Sequence, residues 1–583
     1  MSFKALAEYF QKLEITASRN AMVEILARLF GEASGTEIDK IAYLLQGRVA
    51  PLYEPIEFGM ADKMVVKAMA KAYGESAEEI TKLFKKSGDL GVVAESLGKK
   101  SREELTVTQV FENFYRITTV GGEGSVEKKV ELLSNLLRDS DPLSAKYIAR
   151  TPVDKLRLGF SDMTILDGLS WMIDGTKKHK DKIESAYNIR PDLGFICKQV
   201  KESGVAGVAH VKPKVGTPIL SMRAERLTST EEILEKGGGK VAVEPKLDGL
   251  RAQLHVTKNE TRIYSRGLEN VTAMYPDLVK AAIRQLAEKV DEVILDGEAI
   301  GFDPKTGKYL HFQQTSQRKR KYDIDLFSKN IPLKLIVFDC LYLDGKSLID
   351  EPYSERRKVV EKLCGPSFAK ASAGQAKTII PAEMKIVSDP KELEKMFGQT
   401  LKQGLEGIMA KKLDGEYQAG ARGWNWIKLK GSYLPAGRQV LGKLIDTVDA
   451  VVMGYDFGQG KRSSFGVGAF LIGVYDQKSD SFKTVSKVGT GLTDEEWRQL
   501  VVSGKKLLVK EKPQNYDVNK IMSCDVWLKP KLVGEFRADE LTKSPMHTAG
   551  YALRFPRLVQ WREKNPEDTS SLKEILEMVK LQK

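Results

Sequence analysis

Residues 241–255 read VAVEPKLDGLRAQLH. The stretch opens apolar at Val241 and Val243 and turns polar at Glu244, Lys246 and Asp248, after which Gly249 permits a turn. Leu250, Ala252 and Leu254 then resume an every-second-residue apolar beat, with Arg251, Gln253 and His255 between them. That period predicts a strand and puts Lys246 at a strand-to-turn junction, where a side chain projects into a cleft. The string K-x-D-G recurs by chance, so alone it describes a surface lysine beside a turn as readily as a nucleophile.

At 583 residues the chain is too long for one core. A content of 42% hydrophobic and 29% charged residues is that of a folded globular protein. The net charge of +13 suits a polyanionic partner, although solubility alone also accounts for it. No apolar run approaches the roughly 20 residues of a membrane span, and the N-terminal MSFKALAEYFQKLE lacks a signal-peptide block. Cys197, Cys340, Cys364 and Cys524 lie far apart. They offer neither a zinc site nor a disulfide framework, so the expected home is a reducing cytoplasm.

Residues 1 to about 200 read as helices. Phe3, Leu6, Tyr9, Phe10 and Leu13 fall at helical spacing, 21–30 and 38–45 look similar, and Gly47 and Pro51 interrupt the pattern. In GGEGSVEKKVELLSNLL the spacing predicts Ser125 as an N-cap and Val126, Val130, Leu133 and Leu137 as one apolar stripe. A Gly-rich turn with Gly122 and Gly124 ahead of a helix suits a phosphate, and equally an ordinary helix–helix turn. Lys146, Arg150, Lys155 and Arg157 are interleaved further on. Beyond Pro213–Pro218 come strand patterns (ETRIYSRG, EVILDGEAIGFD, PLKLIVFDCLYLDG, GLEGIMAKKL) separated by helical ones at 275–289, 353–363 and 390–404. They predict an α/β body with mainly antiparallel sheets. After Lys430 a Gly/Pro-punctuated stretch suits a hinge. The short strands that follow (DAVVMGYDF, GAFLIGVYD, FKTVSKVG, DVWLKPKLVGEFRA) suggest a small β-barrel such as an OB-fold.

Polar residues punctuate these strands. Asp296 and Glu298 are two apart and share a face. Phe338 ends a buried apolar run, where a core role is the ordinary reading. Glu406 stands between glycines, Lys428 and Lys430 are co-facial beside Trp424 and Trp426, and Arg554, Arg557 and Arg562 lie among Phe555 and Trp561. Together these are the parts of a nucleotide site. It has a lysine nucleophile with cationic neighbours, carboxylates for Mg²⁺ (or Mn²⁺), an aromatic to stack on a purine, and cations for phosphates.

The motifs EPKLDGLR, SRGLENVT, LDGEAIGFD, LIVFDCLYLDG, LEGIMAK and WIKLK, followed by LRFPRLVQWRE, occur in the order found in ATP-dependent DNA ligases of the archaeal and eukaryotic replicative type, which the chain resembles over essentially its full length. FQQTSQRKRKYDI and the N-terminal YFQKLEITASRN and GGEGSVEKKVELLSNLL resemble the same family. The resemblance implies an all-α DNA-binding domain (1–212), an adenylation (nucleotidyltransferase) domain (213–432) and an OB-fold domain (433–583). It implies that Lys246 takes AMP from ATP, that the AMP passes to the 5′-phosphate of a nick, and that the 3′-hydroxyl then closes the strand. By resemblance Glu244 lies at the adenine, Phe338 stacks on it, and Glu298 holds the ribose. Arg251 and Arg266 face phosphate, with Arg266 also a candidate for the nick 5′-phosphate. Arg422, Lys428 and Lys430 hold nucleotide phosphates. Glu406, then Glu298, are the metal candidates. Phe312 and Phe555 press on the DNA minor groove, with Gly122, Gly124 and Ser125 also on DNA, and Arg554 and Arg557 assist the first step. Lys319, Arg320 and Lys321 resemble a nuclear signal, but their place inside a family motif favours DNA-backbone contacts.

Some stretches depart from the family pattern. SFAKASAGQAK (367–377) and LPAGRQV (434–440) read as surface-loop additions, the second inside the expected hinge. WREKNPED lacks an acidic residue usual in the last motif, which affects the assignment of Lys564 only. KKSREEL has no aromatic where some archaeal ligases carry a sliding-clamp motif. The expected partner is nicked duplex DNA, and the expected state a monomer. A capping enzyme or RNA ligase would share the lysine chemistry, but the long helical N-terminus argues against both. A non-catalytic DNA-encircling scaffold would not need the intact lysine and carboxylates. NAD-dependent ligases carry a zinc-binding cysteine cluster that the chain lacks.

Overall fold

A computed structural model describes the chain apart from residues 17, 100–103, 311, 321, 366–376, 404, 432–446, 459–465, 491, 510, 563 and 583. The expected loop additions (Lys377 excepted), Lys321 and most of KKSREEL lie outside the described residues. The chain forms two compact units, Met1–Leu429 and Lys430–Lys583.

The first unit opens with helices, from Phe3–Glu14 to Leu193–Ser203, whose apolar faces make a core of residues drawn from Phe3 through Val208. Local chemistry sets their ends. Ser2 caps the first helix, and Thr106 and Gln109 form a reciprocal capping box. The helix Ser125–Arg138 departs from expectation in two ways. Its cap position is Gly124, at φ 73°, with Ser125 already helical and no side-chain cap. Val126 is 44% exposed, so the buried stripe begins only at Leu133. The interleaved cations divide as well. Arg150 is 2% exposed and spans Asp89 (2.6 and 3.1 Å) and Glu14 (3.1 Å). Lys146 and the Tyr147 hydroxyl also meet Glu14.

Eleven strands follow: β1 (Arg223–Arg226), β2 (Val241–Lys246), β3 (Leu250–Thr257), β4 (Thr261–Ser265), β5 (Glu292–Gly301), β6 (Leu333–Leu343), β7 (Lys346–Ser347), β8 (Ile379–Pro381), β9 (Lys385–Val387), β10 (Gly407–Lys412) and β11 (Arg422–Lys430). They form two sheets, ordered β1-β11-β10-β2-β9 and β4-β3-β5-β6-β7, with β8 added on β6. Pairing is largely antiparallel, with β1/β11 and β6/β8 parallel. Trp426 on β11, Ile294 on β5 and Leu341 on β6 share one apolar cluster, which joins the sheets. Because β2 belongs to one sheet and β3 to the other, Lys246-Leu247-Asp248-Gly249 is the crossing between them.

The second unit holds β12 (Val448–Asp456), β13 (Ala469–Asp476), β14 (Ser481–Val488), β15 (Leu508–Val509), β16 (Tyr516–Asp517), β17 (Val526–Leu528), β18 (Val533–Arg537), β19 (Glu540–Lys543), β20 (Tyr551–Arg554) and β21 (Arg557–Arg562). β12 pairs with β13 along one side, and with β17 and then β18 along the other, so the eight-stranded sheet curls. The run DVWLKPKLVGEFRA gives two strands where the pattern suggested one, because Pro530 has no N–H for the ladder. Phe555 and Pro556 carry the chain from β20 of a two-stranded sheet to β21 of the large one.

Candidate active site

Lys246 is the last residue of β2 and lies opposite Gly407 of β10. Its Nζ is 3.0 Å from the carboxylate of Glu406, the residue immediately before that strand, and both side chains keep partial access to solvent. Gly249 must be glycine for space rather than for φ. A Cβ there would meet the Ala299 carbonyl at 2.6 Å and Glu298 at 2.9 Å. The crossing is thus pressed against β5, and that contact brings Glu298 to the lysine's side of the cleft. Burial pushes the Glu298 carboxyl up to about 7. Arg251 and Lys246 pull it down, and Asp296 and Asp248 raise it further.

Asp296 and Glu298 have separate surroundings despite their spacing. Asp296 is fully buried and accepts from both arms of Arg251 and from the Tyr417 hydroxyl at 2.8 Å. The Arg251 guanidinium, expected on phosphate, is therefore held by Asp296. It lies 4.6 Å from the centre of the Phe338 ring. Phe338 on β6 is half-buried and meets Trp426 edge-on at 5.8 Å. Glu244, expected at the adenine, is 3% exposed. One of its oxygens meets Lys411 Nζ at 2.8 Å, and the other accepts from the Tyr353 hydroxyl. Arg357 approaches it at 3.7 Å.

The remaining expected residues lie around this centre or apart from it. Arg266 is exposed just past β4, Arg422 is exposed at the start of β11, and Lys428 and Lys430 are half-buried along that strand. Phe312 opens a short helix, Phe312–Ser316, that packs on β5. Gly122 and Gly124 sit at φ 81° and 73°, with open space where a Cβ would go. In the second unit, Arg554 pairs with Glu540 and Arg557 with Asp539, and Phe555 between them is 54% exposed at φ 51°.

Sequence reasoning missed Lys411, Met409, Tyr353 and Arg357. Met409 and Lys411 share one face of β10, and Met409 stands opposite Glu244 and packs, half-buried, on the cluster that carries Phe338. The available signal was the period of two in GIMAK. Tyr353 and Arg357 come from a helix about 110 residues from Glu244, and no local pattern reports that. The carboxylates of Glu406 and Glu298 are the oxygen donors a hard divalent cation takes, but among the described residues no three His, Cys, Asp or Glu side chains are grouped so as to hold a metal ion.

The family model described as "DNA ligase N terminus" matches residues 2–170, "ATP dependent DNA ligase domain" matches 221–430, and "ATP dependent DNA ligase C terminal region" matches 463–565. The chain is 44% identical to a probable DNA ligase of Dictyoglomus turgidum, covering 100% of this chain and 98% of that one. It is 39% identical to a DNA ligase of Hyperthermus butylicus over 100% and 98% of the two chains. Among solved structures, the one called "Pmar-Lig_PreS3" matches with a TM-score of 0.55 at 18% identity, over 96% of this chain and 99% of that one, a likeness of fold. With a lysine at the sheet crossing, carboxylates beside it and three consecutive family matches along its length, the chain belongs to the ATP-dependent DNA ligase family.

Proposed function

We propose that the protein seals nicks in duplex DNA with ATP, through a lysyl-AMP and then a 5′-adenylated DNA intermediate, serving replication, repair and recombination. The observation that carries this is Lys246 at the crossing between two sheets, with Glu406 3.0 Å away and Glu298 raised to about 7 by burial. Nζ attacks the α-phosphorus. The P–N bond forms, the P–O bond to the β-phosphate breaks, pyrophosphate leaves and Nζ loses a proton. The nick 5′-phosphate oxygen then displaces Lys246 from the AMP phosphorus. The 3′-hydroxyl oxygen finally attacks the 5′-phosphate, releasing AMP.

Glu406 keeps Nζ oriented, Phe338 stacks on the adenine beside Glu244, and Glu298 meets the ribose. Arg422, Lys428 and Lys430 offset phosphate charge, and Arg266 takes the nick phosphate. Glu406 first and Glu298 second would hold Mg²⁺ or Mn²⁺, which when bound neutralises charge on phosphate oxygens. Arg251 faces phosphate, and its pairing with Asp296 beside the Phe338 ring supports a second role in holding that ring. Residues 1–212 form the DNA-binding part, with Gly122, Gly124 and Ser125 on the backbone, and 213–432 the adenylation part. Residues 433–583 form an OB-fold whose Phe555, like Phe312, contacts the minor groove, with Arg554 and Arg557 assisting the first step. The protein acts as a monomer in the cytoplasm on nicked duplex DNA, and the KKSREEL stretch offers no aromatic to a sliding clamp.

The test is incubation with α-labelled ATP and Mg²⁺, followed by denaturing electrophoresis. The wild type acquires a covalent label and Lys246→Ala none, and full labelling of that variant would falsify the nucleophile assignment.

A further inference from the structure

Lys411 is the most deeply buried lysine among the described residues, at 1% exposed. Its ammonium lies 4.7–4.8 Å from the ring centres of Trp426, Phe338 and Tyr353. It donates to the Phe338 carbonyl at 2.9 Å and pairs with Glu244 at 2.8 Å. One cation therefore touches the aromatic side chain, its backbone and the carboxylate that the reading above places at the base. The other Glu244 oxygen is occupied by the Tyr353 hydroxyl. A lysine this buried needs its partners, because an ammonium without them carries the full cost of desolvation.

We propose that Lys411 is a positioning residue that sets the base preference of the first step. Resting on the assignment of Lys246 and Glu244 above, it locks Glu244 as a hydrogen-bond acceptor while holding Phe338 through its ring and carbonyl. An ionised carboxylate only accepts, so it can meet the 6-amino group of adenine but repels the 6-oxo group of hypoxanthine. Without the ammonium, Glu244 loses its closest cation and keeps only the Tyr353 hydroxyl and the more distant Arg357, both on its other oxygen, so the oxygen that Lys411 held is no longer fixed as an acceptor facing the base. The floor of the slot then no longer distinguishes amino from oxo.

The experiment measures lysyl-nucleotide formation by the full-length chain with α-labelled ATP and with α-labelled ITP, giving kcat and KM for each. Lys411→Met is expected to lower the ATP-over-ITP preference on the order of ten-fold, mainly through KM for ATP. Lys411→Arg should retain part of the preference. If Lys411→Met lowers both nucleotides equally, the ammonium only supports packing and the proposal falls. Should Lys411→Met fail to fold by thermal melting, Glu244→Gln reads the same ratio. A glutamine offers both donor and acceptor, so its ratio is expected to narrow, and an unchanged ratio overturns the proposal. A wild type that takes no label from ATP would defeat the assignment of Lys246. A labelled wild type with unmoved ratios in the variants would defeat this inference alone.

Discussion

Glu298 is the residue whose titration should be visible. Its carboxyl is raised to about 7 by burial, so between its unfolded value and about 7 the folded chain binds the extra proton. Its contribution therefore favours the fold at low pH and is lost as pH rises toward 7. Glu298→Gln is expected to flatten the stability–pH curve between about pH 4.5 and 7 and to raise stability at pH 8 by about 1–3 kcal/mol. Chemical denaturation at several pH values checks this. A slope equal to the wild type's would show that another group titrates there. Covalent labelling of the wild type should also weaken as pH falls below about 7, because the protonated acid has lost the charge that holds a cation and accepts only weakly from the ribose. Both Asp296 and Glu298 were legible in the sequence as a co-facial pair. Their opposite fates were not, because these depend on Arg251 and Tyr417 reaching one and the crossing at Gly249 pressing on the other.

Two elements depend on contacts that a single substitution removes. The crossing 246–249 fits against β5 only with glycine at 249, since a methyl group would meet the Ala299 carbonyl at 2.6 Å. Gly249→Ala is expected to cost about 1–3 kcal/mol and to slow covalent labelling by moving Lys246. Labelling at the wild-type rate would show that the crossing yields freely. In the helical part, Asp89 caps the helix Leu90–Leu97 and pairs with the buried Arg150. Asp89→Ala should cost about 3–5 kcal/mol, because it leaves Arg150 without its closest carboxylate, and a melting temperature within a degree of the wild type would refute this. The helices themselves were plain from apolar spacing. The sequence could not show that Lys146 and Arg150, which look like part of a basic DNA-facing series, point inward onto Glu14 and Asp89.

For the whole molecule, the net charge of +13 predicts that affinity for nicked duplex falls steeply with salt, by roughly 10³-fold or more between 50 and 200 mM if six or more phosphates are contacted. A titration flat in salt would count against the DNA-clamping role of the helical part. Phe555 offers a sharper test. It is an exposed aromatic in left-handed backbone, a conformation that costs a non-glycine residue about 1–2 kcal/mol. Phe555→Gly is therefore expected to raise thermal stability slightly and to reduce sealing of nicked DNA, with covalent labelling by ATP unchanged. Unimpaired sealing would remove Phe555 from the DNA contact.

The sequence alone determined the order of the parts and singled out Lys246 as the nucleophile proposed above. Hydrophobic period, turn glycines and the motif around Lys246 are local properties, written within a few residues of one another. Tertiary structure alone decided the electrostatic surroundings. It placed Tyr353 and Lys411 on Glu244, gave Arg251 to Asp296 instead of leaving it open, and set Lys246 where two sheets meet. A charge acts on whatever lies within a few ångströms of it, and in this protein those neighbours come from strands and helices tens to more than a hundred residues away.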